Sequence, residues 1–236
     1  MEKWSMPNVL QISSPTLNGP RSVWVEAAPK SESNRCCIFL DAELYLERVK
    51  AVQILTDLQA EPRIPPTTSV FLSYGETSER HRDYTCNPAF ADFLVEELLP
   101  WINEKTHPQE EIFLCGLSLS GLAAIHAACV YPSLFKGALS QSPSAWWNDE
   151  TMAKECGSGQ PRGCRFWISV GSAEQQENVA HAPGLFQKTS QVDSCRRLAN
   201  SLQGSGHEVN YQEFEGGHDA DSWAADLPNG MIWLLN

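Results

Sequence analysis

The sequence contains no apolar run of about 18 residues, the length that a membrane-spanning helix requires. Basic residues are also few, because 17 Lys and Arg stand against 29 Asp and Glu and leave a net charge of −12. An acidic surface repels phosphate, so we expect no nucleic-acid partner and, without a long apolar run, no membrane partner. The opening residues, MEKWSMPNVLQISS, lack the apolar stretch of a signal peptide, which predicts a cytoplasmic protein.

Metal and nucleotide motifs are missing as well. The eight cysteines include no Cys-x-x-Cys pair and the six histidines no His-x-x-x-His pair, so neither set has the spacing of zinc ligands. No P-loop and no Gly-x-Gly-x-x-Gly sequence occurs. We therefore predict no metal and no cofactor. Cys36, Cys37 and Cys115 lie in apolar runs, which favours buried thiols in a reducing compartment over disulfides.

Hydrophobic periodicity predicts an α/β fold. Three extended segments, 9–13, 22–27 and 36–40, come first and suggest antiparallel strands at one edge of a sheet. Helical and extended patterns then alternate, which is typical of a mainly parallel sheet with helices on both faces. The predicted helices are 45–58, 88–104, 119–130, 190–203 and 223–235, the last interrupted near Pro228, and the predicted strands are 69–74, 112–115, 137–141, 165–170 and 208–214. Segment 142–163 is predicted to be an inserted loop beside the site, and we expect a single domain over 1–236.

A serine stands between a predicted strand and a predicted helix, in the sequence CGLSLSG at 115–121. A serine nucleophile on an α/β sheet needs a turn so tight that the residues two before and two after it must be small, as Gly116 and Ser120 are. Such a turn exposes the Ser118 hydroxyl and aims the amide of Leu119 at a developing oxyanion. The pattern therefore favours a nucleophile over an ordinary serine helix cap.

The nucleophile needs a base, and the base needs an acid. In this kind of site the chain order is nucleophile, acid, histidine. His218 fits the base, because it follows the last predicted strand in a Gly-Gly-His loop. Glu174, just after the strand 165–170, is the best placed acid, with Glu177 second. Asp219 is a weaker candidate because side chains adjacent in sequence usually diverge, and a site without an acid stays open.

With these features the chain resembles the Putative esterase family of α/β-hydrolases, the group around esterase D and the enterochelin (enterobactin) esterases. The resemblance runs from about Arg21 to Leu235 and depends on the order of several short segments. They are IFLD at 38–41, similar to Leu-x-Asp-Gly, RHRDYTCN at 80–87, similar to Arg-x-x-Glu-Leu, EELLP at 96–100, SQS at 140–142 followed by Trp146-Trp147, and GGHD at 216–219.

The resemblance implies an α/β-hydrolase fold and hydrolysis of a small-molecule ester by Ser118 and His218, without metal or cofactor. Asp41-Ala42 stands where the family has Asp-Gly, so we place the second oxyanion amide at Glu43 or Ala42. An acyltransferase, a thioesterase and a catalytically silent binding protein of the same fold stay open as alternatives. The oligomeric state and the natural ester stay open too.

Three further residues are expected to bind substrate. Arg80 either shapes the pocket or pairs with a carboxylate such as Asp83. Trp146 and Trp147 are expected to form core, a lid or an aromatic wall for a flat acyl group.

Overall fold

The computed structural model describes residues 9–28, 33–156 and 163–236. Its strands are β1 (Leu10–Ser14), β2 (Gly19–Glu26), β3 (Arg35–Leu40), β4 (Thr68–Leu72), β5 (Glu111–Leu117), β6 (Phe135–Gln141), β7 (Arg165–Gly171), β8 (Val179–Ala182), β9 (Leu185–Gln187) and β10 (Glu208–Phe214). Its helices are α1 (Ala42–Leu44), α2 (Ala51–Ala60), α3 (Thr77–Tyr84), α4 (Pro88–Phe93), α5 (Leu99–Lys105), α6 (Leu119–Val130), α7 (Trp147–Cys156), α8 (Gln191–Gly204) and α9 (Ala220–Leu235), with π-helical turns at Tyr45–Val49 and Leu94–Leu98.

Within these residues, eight strands form one sheet in the order β1-β2-β4-β3-β5-β6-β7-β10. Neighbouring strands in the part β4-β3-β5-β6-β7-β10 of this order pair in parallel. Strand β2 pairs antiparallel with both β1 and β4. This mainly parallel sheet, covered by helices, is the α/β fold that the periodicity predicts and the α/β-hydrolase fold that the resemblance implies. Among the described residues, no helix is both long and apolar enough to cross a membrane.

The expectation of an antiparallel edge is confirmed for β1 and β2 but is wrong for β3, which lies in the parallel centre of the sheet. The reason lies in its side chains, which are buried on both faces of the strand. Ile38 and Leu40 pack into the core on one side, and Cys37 and Phe39 pack into the core on the other. A strand buried on both faces belongs in the middle of a parallel sheet.

The last helix also departs from the expectation, because α9 continues through Pro228 without interruption. A proline removes one backbone hydrogen bond from a helix interior and crowds the preceding turn. Here Leu227, Met231 and Leu234 are buried in the core beside the sheet, and this burial offsets the loss. Segment 142–163 is likewise not only a loop, since α7 lies within it; its residues 157–162 are outside the described residues.

The sheet brings distant parts of the chain to one edge. Parallel neighbours end on the same side, so the loops that follow β3, β5, β7 and β10 share the carboxyl edge. The residues predicted to carry chemistry follow these strands: Asp41 follows β3, Ser118 follows β5, Glu174 follows β7 and His218 follows β10.

Candidate active site

Ser118 occupies a sharp turn between β5 and α6. Its backbone has φ 54° and ψ −121°, a conformation that only glycine adopts without strain. The turn leaves no room beside it, because a Cβ on Gly116 would lie 2.3 Å from the carbonyl oxygen of Ser120. The Ser120 hydroxyl bonds the backbone of Leu117, donating to its oxygen at 2.8 Å and accepting from its nitrogen at 2.9 Å. The small polar Ser120 therefore fits where the usual pattern has glycine.

The strain at Ser118 predicts a stability gain on mutation. Ser118→Gly should stabilise the protein by about 1 kcal/mol, the strain relieved less the extra chain entropy of glycine. For a chain of this size that is a rise in Tm of about 2–4 °C in thermal unfolding. Ser118→Ala is the control and should leave Tm nearly unchanged, since alanine keeps the Cβ. Equal Tm values for the two variants would contradict the strain.

His218 joins Ser118 to Glu174. Its Nε2 lies 3.0 Å from the Ser118 hydroxyl oxygen, and its Nδ1 lies 2.6 Å from Glu174 Oε2. The His218 side chain is 41% exposed, whereas that of Glu174 is 4% exposed. We refer to Ser118, His218 and Glu174 as the triad. In such a chain of contacts the imidazole can take the hydroxyl proton while the buried carboxylate holds its tautomer and its charge.

Glu174 is fixed on its far side by two hydrogen bonds. Its Oε1 accepts a hydrogen bond from the Ser142 hydroxyl at 2.6 Å and one from the Gly171 amide at 2.8 Å. The indole of Trp223 in turn donates to Ser142 Oγ at 3.1 Å and packs edge-on against the His218 ring. One carboxylate oxygen is thus held by the scaffold, and the other faces the imidazole.

The other acid candidates lie elsewhere. Glu177 is exposed to solvent. Asp219 caps α9, where it accepts from the backbone nitrogen and the hydroxyl of Ser222, each at 2.9 Å. These hydrogen bonds to the ionised form lower the pKa of Asp219. The structure therefore brings Glu174, and neither of the other two, into contact with His218.

Two groups of backbone amides stand at helix starts near the carboxyl edge. Leu119 is the first residue of α6, and Ala42 and Glu43 are the first two residues of α1. Amides in these positions have no partner within their own helix, so they can bind an anion. The Glu43 side chain accepts a hydrogen bond from Ser73, and burial raises the pKa of its carboxyl.

A cavity of about 340 Å³ opens at the triad. Its walls are formed by Arg80, His81, Ser118, Leu119, Ser144, Trp146, Ala173, Glu174, Gln176, His181, Leu185, Gln187, Gln191 and His218. Trp146 is buried, its ring stacks on His181 with centroids 4.9 Å apart, and its Nε1 donates to Gln191. Trp147 is not part of this wall and packs against the core.

Arg80 lines the cavity, but its carboxylate partner is Asp41 and not Asp83. Asp83 instead contacts Arg21 at 3.0 Å and Arg82 at 2.7 Å. Arg80 thus pairs with a carboxylate, as one of the two alternatives held, but the suggested partner Asp83 is wrong because Arg21 and Arg82 occupy it. The sequence pattern did not indicate α3.

Sequence reasoning missed the part of the cavity formed by the β8–β9 hairpin, which supplies His181, Leu185 and Gln187. The strands are only four and three residues long, too short for a periodic pattern. Pro183-Gly184 between them is a turn signal that could have located the hairpin. In the described parts of the chain, no three His, Cys, Asp or Glu side chains come together in a way that could hold a metal ion.

Known proteins resemble the chain over most of its length. The iron(III) enterobactin esterase of Dickeya dadantii (strain 3937) is 26% identical over an alignment of 238 positions that covers 96% of this chain and 54% of the relative. That of Escherichia coli (strain K12) is 24% identical and covers 98% and 59%. The chain thus spans somewhat more than half the length of these relatives.

Solved structures share the fold. Ferric enterobactin esterase from Salmonella typhimurium superimposes with a TM-score of 0.85 at 24% identity, over 99% of this chain and 59% of that one. The BES protein from Bacillus cereus gives a TM-score of 0.78 at 19% identity, over 100% and 98%. The family model described as "Putative esterase" matches residues 14–234. The chain therefore belongs to this esterase family.

Proposed function

We propose that the protein is a serine hydrolase that cleaves carboxylic esters through an acyl-enzyme intermediate. The observation that carries this proposal is the continuous set of contacts from the Ser118 hydroxyl through His218 to Glu174. Membership of the esterase family supports the same reaction.

Each member of the triad has one task. Ser118 Oγ attacks the ester carbonyl carbon while His218 Nε2 takes the hydroxyl proton. The alcohol then leaves with that proton, and a water molecule, activated by the same imidazole, releases the acid. Glu174 keeps His218 in the tautomer that presents a bare Nε2 to the serine and stabilises the imidazolium.

The oxyanion of the tetrahedral intermediate is assigned to backbone amides. The first donor is Leu119, at the positive end of α6. The second is the amide of Glu43 or Ala42 at the start of α1. Helix starts suit this task because their amides are already oriented before charge develops.

The cavity favours a substrate with a flat group. Trp146 and His181 form a stacked aromatic wall, backed by hydrogen bonds to Gln191 and Gln187. The relatives act on enterobactin according to their names, so a siderophore ester is one candidate substrate. The exposed side of His218 leaves the acyl-enzyme open to water, and to an acceptor alcohol as well, so acyl transfer stays an alternative that the test below addresses.

The test is hydrolysis of p-nitrophenyl esters that run from acetyl to long-chain acyl and include an aromatic acyl group. We expect turnover of the short and aromatic esters. An added acceptor alcohol should not divert the product, and diversion would indicate an acyltransferase. Inactivity toward the entire series, together with failure to react with a fluorophosphonate, would contradict the proposal and favour a binding protein.

A further inference from the structure

The loop after β3 is held by an unusually buried ion pair. Asp41 is fully buried, and its backbone lies in the left-handed region at φ 60° and ψ 51°. The Arg80 guanidinium donates two hydrogen bonds to the Asp41 carboxylate, from Nε to Oδ1 at 2.7 Å and from Nη2 to Oδ2 at 2.5 Å. Two parallel bonds between a guanidinium and a carboxylate fix orientation as well as distance.

Asp41 also begins the helical turn that carries the candidate oxyanion amides. Its carbonyl accepts hydrogen bonds from the backbone nitrogens of Leu44 at 3.0 Å and Tyr45 at 3.2 Å. Its own nitrogen donates to the Tyr84 hydroxyl at 3.3 Å. The direction of the Ala42 and Glu43 amides therefore depends on how Asp41 is held.

Arg80 is itself held rigidly. Its guanidinium lies 5.9 Å from the centre of the Tyr74 ring and 5.7 Å from that of Tyr84. Its helix, α3, is anchored to β2 by a second buried pair, Arg21 with Asp83. Asp41 compensates the charge of Arg80 and accepts hydrogen bonds from two of its guanidinium nitrogens. Arg80 is therefore better placed to orient the loop than to bind a substrate anion.

We propose that Arg80 is a positioning residue that acts through Asp41 to orient the backbone amides of Ala42 and Glu43 toward the oxyanion. This role rests on the esterase function proposed above. It differs from substrate binding in what it affects, because a misplaced oxyanion donor lowers kcat whereas a lost substrate contact raises KM.

The test uses p-nitrophenyl acetate, which is small and uncharged. Its kcat and KM therefore do not report any electrostatic attraction between Arg80 and a charged substrate. Arg80→Lys keeps the positive charge but loses the two parallel hydrogen bonds to the Asp41 carboxylate. We expect kcat to fall about ten- to a hundredfold, part of the loss that follows removal of an oxyanion donor, with KM within about threefold of wild type. Arg82→Lys is the matched control, an exposed arginine on the same helix that pairs with Asp83 and does not line the cavity, and it should keep wild-type kcat.

A double variant separates positioning from misfolding. Asp41→Asn with Arg80→Gln removes both charges at once and leaves no buried charge unpaired. Because the two residues act as one unit, its kcat should be no lower than that of the worse of the two single variants, Asp41→Asn and Arg80→Gln. The fraction of each variant labelled by a fluorophosphonate gives the concentration of competent sites.

The outcomes differ for the two proposals. Wild-type kcat in Arg80→Lys would overturn the positioning role. A KM that is raised only for a second p-nitrophenyl ester, one whose acyl group carries a carboxylate, would in that case assign Arg80 to substrate binding. Additive losses in the double variant would also overturn it. A wild-type protein that neither hydrolyses esters nor labels would instead overturn the esterase function.

Discussion

Ser118→Ala is expected to lower kcat for p-nitrophenyl acetate by a factor of about 100,000 or more, as loss of the nucleophile does in other serine hydrolases. The oxygen that forms the acyl-enzyme is then absent, and His218 has no hydroxyl to deprotonate. The initial burst of p-nitrophenol that accompanies acylation should disappear as well. Stopped-flow absorbance measures both quantities on one sample.

The matched control for this variant lies two residues away. Ser120→Gly places the family's usual residue in the same turn and removes a hydroxyl that, among the described residues, bonds the backbone of Leu117 and lies outside the triad. It should keep most of the activity and the burst. A burst of wild-type size in Ser118→Ala would show that another group attacks the ester.

Glu174→Gln is expected to lower kcat by a factor of about 10,000, the effect of the corresponding Asp→Asn change in a serine protease triad. The amide oxygen of glutamine can replace Oε1, which accepts from Ser142 and Gly171. Its NH₂ group then donates to Nδ1 of His218, which moves the imidazole proton to Nε2. The imidazole can no longer accept the proton of Ser118.

Glu177→Gln is the matched control, since Glu177 is a nearby exposed carboxylate on the same loop. It should leave kcat and KM unchanged. A loss of less than about tenfold in Glu174→Gln would mean that Ser118 and His218 work as a dyad without help from the acid.

The sequence was sufficient for the parts of the site fixed by short-range rules. The turn at Ser118 follows from small neighbours between an apolar strand and an Ala-rich helix. His218 follows from its place after the last strand, because chain order and sheet topology together put that loop at the carboxyl edge. The position of Leu119 at the start of α6 follows from the same turn.

The remaining features depend on contacts between distant segments. The sequence ranked Glu174 above Glu177, but both are glutamates on the same loop, and the contact that separates them, between Glu174 and His218, joins residues 44 positions apart. The pairing of Arg80 with Asp41 spans 39 residues and depends on where α3 begins. Sequence periodicity reports which face of an element is apolar, and it does not report which two polar side chains meet.

The same limit applies to the fold. The predicted antiparallel edge wrongly included β3. An extended sequence pattern predicts a strand, but it does not indicate whether the neighbouring strands run parallel or antiparallel to it. β3 is distinguished only by burial on both faces. Pro228 was expected to break α9, and the burial of Leu227, Met231 and Leu234 overcomes that local preference.

The central claim is that Ser118 is a nucleophile activated by His218. The most direct measurement is the intact mass of the protein after reaction with a fluorophosphonate, followed by peptide mapping. The account predicts one phosphonyl group per chain, on the peptide that contains Ser118, and none on Ser118→Ala. A wild-type chain that stays unlabelled, or a label that persists on Ser118→Ala, would contradict it.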